Sequence, residues 1–149
     1  MPAEAALPRA AIETERRLCF CDAAKMAVGL AATALPFARS NFEEAERWLR
    51  VLRMSGAVGE ALQGLGVPEH PLVASANPSD AEPRQPDAVG TVIEAATNSA
   101  RARDADAITT GDLFQGVAAT YGPAFDHALA IRGTTSAEVL ERLARPPVR

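Results

Sequence analysis

Five of the chain's eleven prolines, Pro68, Pro71, Pro78, Pro83 and Pro86, fall within residues 67–87, and this stretch constrains the fold more than any other feature. Proline removes a backbone donor and clashes with a preceding helical turn, and the intervening Ser, Asn and Asp residues offer little to bury. The stretch reads as a linker, and it divides the chain into an N-terminal extension (1–13), a first unit (14–66) and a second unit (88–145). On either side, alanine makes up about a fifth of the 149 residues, while aromatic residues are only 5%. β-Branched and aromatic side chains are too scarce to fill a sheet, so the expected class is all-α.

The two units follow the same order. Residues 14–35 read as one long helix ended by Pro36. Ser40 and Glu43 have the S-x-x-E spacing of a capping box and open a second helix, with Ala45, Trp48, Leu49 and Leu52 inward. A short amphipathic segment through Val58, Ala61, Leu62 and Leu65 follows and closes at Gly66. After the linker, residues 88–103 read as a helix and 104–108 as a short connector. Thr109 and Asp112 then repeat the cap at a constant offset of 69, with Phe114, Val117, Ala118 and Tyr121 in the places of the first inner stripe. Phe125, Leu129 and Ile131 form the next piece, which ends at Gly133, and Thr135 with Glu138 caps a last helix stopped by Pro146 and Pro147. This grammar predicts an internal duplication: two pseudo-symmetric units of about four helices each, packed as one compact domain.

Charge and hydropathy narrow the function classes. Fifteen Lys+Arg against nineteen Asp+Glu give a net charge of -4, which argues against nucleic acid as a partner. No apolar run reaches the roughly 18 residues of a membrane span, and no basic n-region precedes an apolar stretch, so a cytoplasmic, membrane-free protein is expected. No G-x-x-x-x-G-K-[ST] phosphate loop and no G-x-S-x-G elbow occur. Nothing has metal-ligand spacing, and neither a metal nor a cofactor is expected. Cys19 and Cys21 read as small hydrophobes, because residues two apart on a helix diverge. His70 lies in the linker. His127 follows Asp126 directly, so an Asp-oriented base is not implied.

The string TVIEAATNSARARDADAITTGDLFQGVAATYGPAFDHALAIRGTTSAEVLERL resembles the second repeat of the Clp N-terminal (Clp R) domain, which precedes the ATPase modules of ClpA- and ClpC-type unfoldases. The first unit resembles the first repeat through TERRL, NFEEAERWLRVL and ALQGLGV. The resemblance implies a double Clp-N arrangement and a protein-interaction surface. In the family this domain docks adaptors and substrate segments, in some members phosphoarginine, and in actinobacterial members cyclic-peptide antibiotics. Because the phosphate loop is missing, the expectation is a stand-alone domain without ATP hydrolysis. The family's T-E-H acid is replaced after Thr110 by Gly111, which departs from the carboxylate pair that grips a guanidinium.

The leading expectation is therefore a non-enzymatic, chaperone-related binding module that holds a peptide or protein segment, or an amphiphilic natural-product ligand. Trp48, Tyr121 and Phe114 are the candidate apolar contacts, although core packing is the simpler explanation of them. Glu43 and Glu44, with Asp112, are candidates for orienting basic groups. The rival expectation is a small acid-base enzyme on the same scaffold, for instance in natural-product biosynthesis, using Glu15, Asp22, Asp112 or His127. A third is sequestration of a toxic ligand.

Overall fold

The computed structural model describes residues 18–54, 56–68 and 87–144, and within them the chain is mostly helical. In order come β1 (Cys19–Phe20), α1 (Asp22–Ala34), a 3-10 turn (Leu35–Phe37), α2 (Asn41–Arg53), α3 (Gly56–Gly64), α4 (Ala88–Ala102), β2 (Ala107–Ile108), α5 (Thr110–Tyr121), α6 (Pro123–Ile131) and α7 (Ser136–Ala144). The all-α expectation is met, with one small addition. Cys19 and Phe20 pair in parallel with Ala107 and Ile108, and the Cys21 N–H donates to the Ile108 carbonyl at 2.9 Å. The helix expected over 14–35 therefore begins only at Asp22, after extended residues that take their hydrogen bonds from a distant segment. Its first four positions, 14–17, lie outside the described residues, as do most of the proline linker and the N-terminal extension. Extended backbone also removes the premise that Cys19 and Cys21 diverge, since positions two apart in a strand share a face. Both are free thiols, Cys19 exposed and Cys21 half-buried.

Local chemistry explains where three of the seven described helices start. The Ser40 Oγ accepts from the Glu43 N–H at 3.1 Å, and the Glu43 carboxylate accepts from the Arg39 N–H at 2.8 Å. At α5 the box is reciprocal: Thr109 Oγ1 accepts from the Asp112 N–H and Asp112 Oδ2 accepts from the Thr109 N–H. Thr135 caps α7 through the Glu138 N–H at 3.1 Å. Each such cap satisfies a donor that the first turn leaves orphaned and contributes about 1 kcal/mol. The nine-residue helices α3 and α6 end alike. Gly66 and Gly133 take φ of +87° and +86°, and the residue after each returns an N–H to the carbonyl of Leu62 or Leu129. That left-handed conformation carries almost no penalty only for glycine.

The core runs through both halves. Trp48, Leu49, Leu52, Val58 and Leu62 from the first half join Val92, Leu113, Phe114, Val117, Phe125 and Leu129 from the second. Phe114 and Phe125 meet edge to face with centroids 5.3 Å apart. Across the halves, α2 packs on α6, α3 on α7 and on α5, and α2 on α5. No helix among the described residues is long and apolar enough to cross a membrane.

Candidate functional site

Two places gather the chemistry, and α2 takes part in both. The first is the seam of α2 with α5 and α6. The spacing of three and four residues puts Phe42, Ala45, Trp48, Leu49 and Leu52 inward, and Glu44 goes in with them. Glu44 is fully buried. Its Oε1 accepts a 2.8 Å hydrogen bond from the Tyr121 hydroxyl at the end of α5. One turn on, the Trp48 indole Nε1 is buried and has no hydrogen-bond partner among the described residues, and the same holds for Asn41 Oδ1. Next to them, Arg132 reaches from the end of α6 to Glu46 at 3.1 Å and also donates to the Ala128 carbonyl. The His127 ring lies against Phe42, with centroids 5.2 Å apart.

Of the residues singled out from sequence, this seam brings together Glu44 and Tyr121. Trp48 and Phe114 have no exposed surface and Tyr121 is 4% exposed, so all three stand in the core, where the alternative reading of their apolar spacing placed them. Glu43 faces outward and forms an ion pair with Arg39 at 2.9 Å. The side-chain hydrogen bonds from Arg39 hold its carboxyl below the ordinary range against a smaller upward push from burial.

Asp112 sits elsewhere, at the start of α5. Its two oxygens take the Arg103 guanidinium, the Ser99 hydroxyl and the Thr109 N–H. Burial raises this carboxyl, but those donors together outweigh it and keep it below the usual carboxylate range. A carboxylate stabilised this way as an anion is a structural knot and a poor proton acceptor. Asp22 is exposed in the first turn of α1. Glu15 and His70 lie outside the described residues. Among those that are described, no group of three or more His, Cys, Asp and Glu is placed to hold a metal.

The second place is an open cleft of about 180 Å³ between α1 and α2, lined by Leu30, Thr33, Ala34, Arg47, Arg50, Val51 and Met54. α1 turns its all-alanine face, Ala24, Ala27 and Ala31, into the core, while its Leu30, Thr33 and Ala34 line the cleft. Arg47 spans the two helices, donating from Nη1 to the Ala34 carbonyl at 3.3 Å. Met54 is 52% exposed at the cleft; Met26, also largely exposed, lies on the α1 stripe that includes Leu30 and Thr33, and the exposed Phe37 lies in the 3-10 turn that follows α1. None of these residues was singled out from the sequence. The available signal was Arg47, Arg50 and Met54 at helical spacing on the outer face of α2, which has no meaning until its partner helix is known.

Compared with known proteins, the chain matches no family model, and no curated protein matches it.

Proposed function

We propose that the chain is a binding module of the Clp N-terminal kind, built from two related helical units, which holds a peptide segment or an amphiphilic ligand without hydrolysing ATP. The repeat reading draws support from α2–α3 and α5–α6. Each is a capped helix of twelve or thirteen residues followed by a nine-residue helix. Each pair also ends on a glycine with φ near +87°.

One observation carries the binding reading: the cleft between α1 and α2, lined by Leu30, Ala34 and Val51 and by the exposed Met54. Exposed methionines suit such a surface, because an unbranched thioether side chain adapts to different partners. The contact residues move accordingly from Trp48, Tyr121 and Phe114, which do not line the cleft, to Leu30, Val51 and Met54, which do. An acid-base enzyme would instead draw on the Glu44–Tyr121 pair, but both groups are closed off from solvent in the core and the cleft wall carries arginines.

The test is a titration of the isotopically labelled protein with linear peptides of differing charge, cyclic peptides and a fatty-acyl amphiphile, followed by amide NMR. Shifts confined to Leu30, Ala34, Val51 and Met54 with at least one of them support the proposal. A panel that leaves those amides unmoved ends it.

A further inference from the structure

We infer that the α1–α2 cleft selects an acidic amphipathic helix, which inserts an apolar side chain between Leu30 and Val51 and sets its carboxylates on Arg47 and Arg50. This deepens the binding reading above and depends on it.

Size comes first. A volume of about 180 Å³ falls below the roughly 300–1,000 Å³ of a site that encloses a whole small molecule. It suits one or two side chains of a longer ligand whose remainder lies outside. The surroundings set the shape of that remainder. Met26, Leu30 and Thr33 recur at intervals of four and three on α1, which puts them on one stripe. The stripe is about 10 Å long at ~1.5 Å per residue, or two turns. A strip of that length beside a shallow cleft matches the anchors of a short helix lying in a groove.

Charge sets the class of partner. Arg47 and Arg50 are three residues apart on α2, about 4.5 Å along its axis, and both line the cleft. The carboxylates on their own helix are committed elsewhere: Glu43 to Arg39, Glu46 to Arg132, and the buried Glu44 to the Tyr121 hydroxyl. Glu43 lies close enough to feel the charge of Arg47, but its hydrogen bonds are with Arg39. Arg50 is exposed and forms no ion pair among the described residues. Planar guanidiniums bind carboxylates through paired hydrogen bonds, so two of them one turn apart match carboxylates spaced three or four residues apart on a helix. The chain's net charge of -4 gives such a partner no long-range attraction, so discrimination falls to this pair.

The experiment measures fluorescence anisotropy of three labelled synthetic peptides of about 16 residues against the full chain. They share leucines at i, i+3 and i+7 and carry glutamate, glutamine or lysine on the flanks. The glutamate peptide is expected to bind about tenfold more tightly than the lysine peptide, with the gap narrowing as salt rises from about 0.05 M to about 0.5 M. Arg50→Glu should reverse the preference, and Met54→Ala should weaken all binding. Both positions are exposed, and circular dichroism melts should show both variants folding as the parent does. Equal or tighter binding of the lysine peptide, or an Arg50→Glu variant that keeps the glutamate preference, overturns the inference. Glutamine-peptide binding that equals glutamate binding and still depends on Met54 overturns acid selection alone and leaves the cleft as a binding site. No binding by any peptide removes both. A dimer in light scattering that Arg50→Glu dissociates would make a second copy the occupant and overturn the acidic-helix assignment.

Discussion

The α1–α2 pair joins two thirteen-residue helices and the α4–α5 pair a fifteen- and a twelve-residue one; the first is open along its flank and the second is sealed. In the sealed pair the buried face of α4 is Ala88, Val92, Ala96 and Ala100, and Gly116 of α5 lies directly on it. A Cβ at Gly116 would stand 2.8 Å from the Val92 carbonyl oxygen and 3.2 Å from the Ala96 nitrogen, so the two backbones touch. The end of that seam is fastened by Asp112 to Arg103 and Ser99. In the open pair α1 also buries alanines, but its glycine, Gly29, points into empty space, and Arg47 bridges to Ala34 where α5 has backbone contact. The number of small residues is therefore a poor guide to close approach. What matters is whether one of them faces the neighbouring helix.

Substitutions can break this contrast, and the largest effect is expected in the sealed seam. Gly116→Val puts a branched side chain against backbone that cannot yield. It should cost about 3 kcal/mol, read as a lower urea midpoint with an unchanged slope. A neutral result would mean that the helices have room to part. Next, Asp112→Ala removes a cap and the ties to Arg103 and Ser99, for a loss of about 2 kcal/mol. Because the folded Asp112 carboxyl titrates below its unfolded value, its contribution is complete above about pH 4 and fades as pH falls through the folded value. Melting temperatures measured from neutral to strongly acidic pH should fall less steeply for Asp112→Asn than for the parent.

Smaller effects belong to the open pair. Gly29→Ala meets nothing within 4 Å and should stabilise the protein by about 1 kcal/mol, the reverse of Gly116. A calorimetric loss there would show that α1 is more tightly covered than its surroundings indicate. Glu43→Gln removes an exposed pair with Arg39 and should cost no more than about 0.5 kcal/mol, an amount that salt should erase.

Features whose cause is local were legible in the sequence. The Ser40 and Thr109 caps, the break at Pro36, and the terminal glycines Gly66 and Gly133 depend on neighbouring residues, and each falls where the residue types placed it. Cys19–Phe20 and Ala107–Ile108 were not readable, because two-residue strands have no periodicity and each exists only through the other. The candidate site was hidden for a related reason. Periodicity marks Trp48, Tyr121 and Phe114 as an apolar face without saying whether that face meets a ligand or the rest of the core. Arg47 and Arg50 gain their significance from Leu30 and Ala34, residues on a different helix.

The parallel pairing of β1 with β2 also sets an order of events during synthesis. Phe20 leaves the ribosome long before Ile108, so the strand that precedes α1 has no ladder to join until most of the chain has been made. At ~5–20 residues per second that delay is on the order of ten seconds. Throughout it the inner stripe of α2 also lacks α5 and α6 to cover it, and this waiting period is the nascent chain's greatest exposure to chaperones and to misassociation.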